Sequence, residues 1–255
     1  MRLRRIKARW DAEGFAMQNG LYVALSAQVA LQRRLETIAA NVANLNTVGY
    51  RADGVTFEAE FARAGGAPTA YVTPGADYIS RRSGGLTKTD NPLDVAVQGD
   101  GWLSIGTSAG IAYTRDGRMR ISESGDLQTL TGNAVLDAGG APIALDPAAG
   151  APTISADGMI NQNGRQVGAL GLFAIDADAK LRRAENSGVI PDKPATPILD
   201  STQNGLVQGS VEGANVDPIR EMTKLIEVTR AFDGVNTEVT QTEASLQDAI
   251  KALAA

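Results

Sequence analysis

The chain has 255 residues, of which 43% are hydrophobic and 21% charged, and its formal net charge is −5. This length and composition allow one large domain or two smaller ones with a hydrophobic core, while the negative charge argues against binding nucleic acid through its phosphates. The absence of cysteine and histidine excludes disulfides, thiolate zinc sites and the usual histidine general base.

The N-terminal segment, residues 1–16, is rich in arginine and contains no apolar run. Because acidic residues and a glycine follow Trp10, the segment does not resemble a secretion signal. No stretch of the sequence reaches the roughly 18 apolar residues of a membrane span. We predict that residues 1–16 are a disordered leader or precede the true first residue, Met17; a functional basic arm is the alternative.

A long helix is predicted over residues 17–46, where apolar residues alternate at spacings of three and four. The positions of this seam are Leu21, Ala24, Gln28, Leu31, Leu35, Ile38, Val42 and Leu45. Such a helix needs a partner along its apolar face, either another terminal helix or the core of a globular domain. Asn41 and Asn44 share a face near its end, where their amides suit a buried helix end or a neighbouring subunit. Gly49 suits the left-handed conformation that closes a helix.

The middle of the chain changes to β-structure. Residues 51–85 contain several glycines and prolines, which predict an irregular or hairpin-like connector. From residue 86 to 205, short alternating apolar runs lie between turn dipeptides such as Asp116-Gly117 and Asn163-Gly164. This spacing is typical of successive hairpins, so we expect an all-β domain of short strands.

A second long helix is predicted over residues 218–253, since Asp217-Pro218 is a strong helix start. Its heptad positions are Met222, Leu225, Thr229, Phe232, Asn236, Val239, Glu243, Leu246, Ile250 and Leu253. Polar residues in such a seam weaken it but fix its register and partner. We therefore expect this helix to be loose in the free monomer and to become firm among several helices.

The order helix–β–helix predicts an α+β fold: long N- and C-terminal helices packed as a coiled coil, with an all-β domain inserted between them. The predicted domains are the leader, a helical assembly domain of residues 17–50 and 206–255, the connector 51–85 and the β domain 86–205. The predicted assembly interface consists of Leu21, Leu31, Leu35, Ile38, Asn41, Val42, Asn44, Leu45, Met222, Leu225, Thr229, Phe232, Asn236, Val239, Leu246, Ile250 and Leu253.

Carboxylate chemistry is the alternative function of a different class. Asp94 and Asp100, with Asp116, would suit a carbohydrate-acting enzyme or binding module. Asp100 and Asp116 each precede a glycine, however, and aspartate is favoured in such turns for backbone reasons. Asp176-Ala177-Asp178 lacks the glycine and distal glutamate of a calcium loop. The sequence therefore predicts no catalytic, cofactor or metal site.

Four segments resemble the signatures of the bacterial flagellar rod and hook proteins, in the same order over about residues 17–253. They are Asn41–Tyr50, Asn91–Trp102, Tyr113–Gly117 and Val211–Asp217, the last followed by Glu221-Met222 and Arg230-Ala231-Phe232. Four segments together are far more specific than any one. Residues 17–26 further resemble the start of the proximal rod type, and the distal rod type or a hook-type protein is the alternative.

The resemblance implies a non-enzymatic structural subunit that polymerises through its terminal helices into the axial drive shaft of the flagellum. It implies partners among copies of itself, other rod proteins and the flagellar type III export apparatus. It implies no cofactor, nucleic acid, small-molecule substrate or membrane insertion. Its expected location is the basal-body rod across the periplasm, reached without a cleaved Sec signal.

Overall fold

The computed structural model describes the backbone of residues 2–63, 68–199 and 204–254, and side chains there except at 2–21, 61–63, 68–70, 74, 246, 249, 253 and 254. The chain divides into two compact units. The helix–hairpin unit comprises Met1–Val42, Gly54–Asp77 and Pro218–Ala255, and the β body comprises Ala43–Asp53 and Tyr78–Asp217.

Two helices and eighteen strands make up the described residues. Helix α1 spans Arg2–Ala43 and α2 spans Pro218–Ala254. The strands are β1 Asp53–Arg63, β2 Pro68–Ile79, β3 Leu86–Lys88, β4 Val95–Gln98, β5 Trp102–Thr107, β6 Gly110–Thr114, β7 Met119–Ile121, β8 Leu127–Thr129, β9 Ala134–Val135, β10 Thr153–Ile154, β11 Met159–Gln162, β12 Arg165–Ala169, β13 Leu172–Ala174, β14 Leu181–Arg183, β15 Val189–Pro191, β16 Thr196–Pro197, β17 Gly205–Gln208 and β18 Ser210–Glu212.

The predicted fold class, an α+β fold whose terminal helices pack as a coiled coil, is wrong. Strands dominate the chain between the helices, and the helices leave part of the predicted apolar seam exposed. Met222 and Ile250 are 54% and 65% exposed. A polar hydrogen bond, from Gln28 Nε2 to Asn236 Oδ1 at 3.0 Å, joins α1 to α2 instead. The molecule is therefore a large β-rich structure with two helices.

The polar seam positions explain why α2 faces inward differently from the prediction. Val228 is buried and Leu225 half-buried, whereas Thr229 is exposed and donates its hydroxyl to Leu225 O at 2.8 Å. Burying a polar side chain without a partner costs free energy, while burying valine is favourable. The inward side of α2 therefore includes Val228 and the half-buried Val235, which were not predicted, beside the half-buried Asn236, whereas the predicted Thr229 is exposed.

Gly234 is a weak point within α2. A Cβ atom at this position would meet no heavy atom within 4 Å. We expect Gly234→Ala to stabilise the helix by up to about 1 kcal/mol, because alanine has the highest helix propensity and fits without a clash. Thermal unfolding followed by far-UV circular dichroism would measure this gain. The reverse change at an exposed site of the same helix, Ala244→Gly, should lower stability by a similar amount. If both variants were stabilised, or both destabilised, the explanation by helix propensity would be contradicted.

A long hairpin of β1 and β2 completes the helix–hairpin unit. A two-stranded hairpin is marginally stable by itself in water, and here β2 contacts α1. The backbone N–H of Val72 donates to Ser26 Oγ at 3.4 Å, and Arg33 forms an ion pair with Asp77. The segment predicted as a hairpin-like connector thus contributes a structured wall beside α1.

The β body is built around one antiparallel sheet of nine strands, whose main path runs β14-β15-β6-β5-β9-β8-β7. Two pairs close the body near its N- and C-terminal segments: β4 with β17, and β3 with β18. The core contains Val95, Val97, Leu103, Ile105, Ala112, Met119, Leu127, Val135, Ile143, Leu145, Ile154, Ile160, Leu170, Leu172 and Leu206. Residues 205–212 are therefore part of this body.

Candidate assembly surfaces and a buried charge cluster

The residues predicted as an assembly interface lie at different depths. Buried ones are Ile38 and Asn41; half-buried ones are Leu31, Leu35, Val42, Asn44, Leu45, Leu225, Phe232, Asn236 and Val239; exposed ones are Met222, Thr229 and Ile250. Leu21, Leu246 and Leu253 lie on the helices, but their side chains are outside the described residues. The structure therefore leaves part of the predicted set open to solvent and uses part inside the monomer.

Asn41 is one of the predicted interface residues that are buried inside the monomer. Its amide Nδ2 donates to Glu221 Oε2 at 3.4 Å, and Lys224 Nζ lies 2.6 Å from Glu221 Oε1. Asn41 and Glu221 are 3% and 5% exposed. Glu221 also lies in the first turn of α2, where the helix dipole favours an anion. This asparagine thus serves the packing of α1 against the start of α2.

Two apolar surfaces of the helix–hairpin unit are open, and of their residues only Met222 belongs to the predicted interface. The first, here called the groove, has a volume of about 370 Å³ and lies between α1 and β2. Its walls carry Tyr22, Leu25 and Val29 on one side and Tyr71 and Val72 on the other. The second, here called the ridge, is the exposed stripe formed on α2 by Ile219, Met222 and Ile226.

The sequence signatures meet in the β body at a buried charge cluster. Glu212 forms ion pairs with two arginines. Arg51 Nη2 lies 2.8 Å from Glu212 Oε1, and Arg115 Nη1 lies 3.0 Å from Glu212 Oε2. All three side chains are at most 2% exposed. Trp102 lies close to both guanidinium groups, whose Cζ atoms are 5.5 Å (Arg51) and 5.4 Å (Arg115) from its ring centroid. Glu212 thus balances the charges of two arginines, and both guanidinium groups also make cation–π contacts with the indole ring of Trp102.

Backbone groups complete the cluster. Arg115 donates to the carbonyls of Val97 and Gly99 at 3.1 and 2.5 Å, and Gly84 N donates to Glu212 Oε1 at 2.8 Å. Within the described residues, Nε of both arginines has no hydrogen-bond acceptor. Burial and then the charge of Arg51 lower the pKa of Arg115 to about 10, against the opposing effect of Glu212. Glu212 therefore compensates two guanidinium charges that water does not reach.

The side chain of Asn215 forms hydrogen bonds with two other segments of the β body. Its Oδ1 accepts from Ala52 N at 2.6 Å, and its Nδ2 donates to Arg82 O at 2.6 Å and Ser80 Oγ at 3.0 Å. The backbone N–H of Gly49 donates to Glu212 O at 2.7 Å. Gly49, Trp102, Arg115, Glu212 and Asn215 of the signature segments thus make contacts that join distant parts of the β body.

The aspartates considered for catalysis also have structural roles. Asp116 is buried and pairs with Arg118 through contacts of 2.7 and 2.9 Å, and Asp94 Oδ1 accepts from Asn91 Nδ2 at 2.9 Å. No three acidic side chains in the described ranges are grouped so that they would bind a metal ion. Neither helix, over its described part, has an apolar stretch long enough to cross a bilayer.

Three sequence families match this chain in order. Residues 21–51 match the family described as "Flagella basal body rod protein", residues 96–162 the "Flagellar hook protein FlgE/F/G D1 domain", and residues 207–253 the "Flagellar basal body rod FlgEFG protein C-terminal". The first and third families include the segments that form α1 and α2, and the second lies within the β body.

Named relatives match over almost their whole length. Flagellar basal-body rod protein FlgF of Mesorhizobium japonicum is 48% identical, and that of Rhizobium meliloti 46%; each match covers 93% of this chain and 98% of the relative. Flagellar basal-body rod protein FlgG of Bacillus subtilis is 29% identical over 92% of this chain and 98% of the relative. The similarity thus extends over both units and is greater to these FlgF proteins than to this FlgG.

Proposed function

This chain belongs to the flagellar basal-body rod protein family, and we propose that its helix–hairpin unit carries the contacts through which it is built into the rod. It is a structural subunit of the flagellar rod, of the type of the proximal rod protein FlgF. Identities of 48% and 46% to FlgF proteins, against 29% to an FlgG, support this type. A distal rod or hook-type protein is the alternative.

The observation that supports assembly through the helices is their exposed apolar surface. Leu25 and Val29 on α1 are 52% and 50% exposed, and Ile219 on α2 is 79% exposed. Contiguous exposed apolar side chains typically mark interaction sites in soluble proteins. The assembly surface we propose includes the open and half-buried members of the predicted set, among them Leu35, Met222 and Ile250, together with the groove and the ridge.

The role is non-enzymatic, with no cofactor or small-molecule substrate. The partners are other copies of the chain and other rod proteins, and the location is the flagellar basal body. We place the assembled subunit in the periplasmic part of the rod, reached unfolded through the flagellar type III export apparatus without a cleaved Sec signal. A chain without cysteine supports this route, because it forms no disulfide before or after transfer.

Loss of the gene tests the function in the source bacterium. Deletion should abolish swimming and leave basal bodies that stop before the distal rod, and the wild-type gene should restore both. Swimming measured in soft agar and electron microscopy of isolated basal bodies report these results. A deletion strain with complete, functional flagella would contradict the proposed function.

Substitutions that introduce charges on the helices test the proposed assembly surface. We expect Leu35→Glu combined with Leu246→Glu to leave the β body folded but to block incorporation into rods. Immunoblots of purified basal bodies measure incorporation, and the fluorescence of Trp102 in a Trp10→Phe background reports the folding of the β body. Leu130→Glu, at a 50% exposed site of the β body, is the matched control and should be incorporated. Normal rods from the helix variant would refute the assembly role of these positions.

A further inference from the structure

We propose that Asn163, at the tip of the hairpin between β11 and β12, is a site of spontaneous deamidation in the folded protein. The chain contains the tripeptide Gln-Asn-Gly three times, with its asparagine at Asn19, Asn163 and Asn204. Because the three local sequences are identical, any difference in their reactivity comes from the structure around each. The structure leaves the middle copy able to react and restrains the other two. This chemistry is independent of assembly into the rod.

The reaction is an attack by the main chain on the side chain. The backbone nitrogen of Gly164 bonds to Cγ of Asn163, the bond from Cγ to Nδ2 breaks, and ammonia leaves with the proton of the Gly164 N–H. Water then opens the resulting cyclic imide. Opening at Cγ gives aspartate, and opening at the backbone carbonyl gives isoaspartate, whose main chain runs through the side chain. Glycine favours the attack because it has no Cβ atom beside the attacking nitrogen.

The hairpin tip meets the requirements of this reaction. Asn163 and Gly164 are exposed, and a Cβ atom at Gly164 would meet no heavy atom within 4 Å. Over the described ranges, no hydrogen bond holds the Asn163 amide or the Gly164 N–H. In the same ranges β12 pairs only with β11, so the turn lies at the edge of a three-stranded sheet. Rotation of the Asn163 backbone toward the cyclic imide therefore displaces no packed neighbour.

Asn204 is restrained on both sides of the reacting bond. Its Oδ1 accepts from Asp100 N at 2.8 Å, which fixes the side-chain amide. Gly205 is the first residue of β17 and pairs with Gln98 of β4. A Cβ atom at Gly205 would lie 3.3 Å from Ala156 O, so the backbone is closely packed there. Attack by the Gly205 nitrogen therefore requires the pair of β17 and β4 to open.

Asn19 is restrained by the helix that contains it, because it lies within α1, which spans Arg2–Ala43. Each backbone N–H inside an α-helix donates to the carbonyl four residues earlier, so the Gly20 nitrogen is directed away from the side chain before it. Cyclisation at this copy therefore requires local unfolding of α1.

Isoaspartate at position 163 would disturb a buried contact of the neighbouring residue. Gln162 is 3% exposed. Its Oε1 accepts from Asp146 N at 3.0 Å, and its Nε2 donates to Asp146 O and Gly150 O at 3.1 and 3.0 Å. A two-residue turn fixes the register of the strands beside it, and isoaspartate lengthens this turn by a methylene group. We expect the isoaspartyl form to release the segment 146–150.

Incubation of the purified full-length protein tests the site. Samples are kept at neutral pH in heavy-oxygen water and then digested, and mass spectrometry quantifies the conversion of each asparagine together with the heavy oxygen that it has gained. We expect conversion at Asn163 to be about tenfold faster than at Asn204 or Asn19, because opening a loop tip costs less free energy than opening a paired strand or a helix. A folded protein in which Asn204 or Asn19 keeps pace with Asn163 would overturn the proposal.

The unfolded chain is the matched control for the effect of structure. In concentrated urea the three asparagines should react at rates within about threefold of one another, since only residual local structure remains in the denatured state. If Asn163 kept its full advantage in urea, the selectivity would not come from the fold and the proposal would fail.

Two variants separate the chemistry from its consequence. Asn163→Gln should prevent conversion at this position and leave the rate at Asn204 unchanged, because glutamine has to close a larger and less favourable ring. Asn163→Asp carries the new charge on a normal main chain. Hydrogen exchange of the Asp146 amide should become faster in wild-type protein after the incubation, but should stay slow in both variants. Unchanged exchange at Asp146 in converted wild-type protein would overturn the release of the segment 146–150.

Discussion

Glu212→Gln is expected to destabilise the β body by about 3–5 kcal/mol, the typical loss when one partner of a buried ion pair is removed. The glutamine keeps the shape of the side chain but removes the negative charge between Arg51 and Arg115. Both guanidinium groups are at most 1% exposed, so water does not replace the lost carboxylate. Burial and the charge of Arg51 lower the pKa of Arg115 to about 10, so its charged form is less favourable here than in water even with Glu212 present.

Urea unfolding followed by tryptophan fluorescence would measure this loss. Trp102 lies within about 5.5 Å of both guanidinium groups and so reports the cluster directly. A Trp10→Phe background makes it the sole tryptophan. Asp90→Asn is the control, because the ion pair of Asp90 with Lys88 is 75–76% exposed. It should change stability by less than about 0.5 kcal/mol.

A triple variant separates charge from shape. Replacing Arg51, Arg115 and Glu212 together by methionine, methionine and leucine removes all three charges, and such replacements of buried ion clusters are often neutral or stabilising. We expect this variant to recover most of the stability lost in Glu212→Gln. If it is equally unstable, the cluster contributes through its hydrogen bonds to Val97, Gly99 and Gly84 rather than through charge balance.

Gly49→Ala is expected to cost about 3 kcal/mol or more, through two separate effects. Gly49 has φ +69°, where a residue with a Cβ atom is strained by about 1–2 kcal/mol. In addition, a Cβ atom here would lie 2.2 Å from the backbone N of Asp116. The backbone of the Gly49 turn and that of the Asp116 segment therefore have to separate.

Gly164→Ala isolates the second effect. Gly164 has nearly the same φ, +72°, but a Cβ atom there would meet no heavy atom within 4 Å. We expect only the strain of about 1–2 kcal/mol in this variant. The same urea titrations compare the two proteins. If Gly49→Ala and Gly164→Ala lost equal free energy of unfolding, the close approach of Gly49 to Asp116 would contribute nothing to the cost.

Local signals in the sequence predicted local structure well. The Asp217-Pro218 start places the first residue of α2 correctly. The dipeptide Asn163-Gly164 forms the predicted hairpin turn between β11 and β12, with both residues at positive φ. These features depend on side chains within a few positions of one another. A single sequence contains the information for them.

Features that join distant segments were missed or misassigned. Asp116-Gly117 was expected to be a hairpin tip, but a Cβ atom at Gly117 would lie 1.8 Å from Val95 O, so glycine is required there for a close backbone approach. The cluster of Arg51, Arg115 and Glu212 draws on three segments that no periodicity links. The heptad pattern of α2 likewise predicted packing at Met222, which is exposed, and missed the buried Val228.

The pairing of β3 with β18 and of β4 with β17 also determines when the β body is able to fold. Pairing between distant segments is slow, because the loop between them has to close before any contact forms. Glu212, which compensates the buried arginines, belongs to the last strand before α2. These two strand pairs are therefore able to form only when the chain is available as far as Glu212, close to the start of α2.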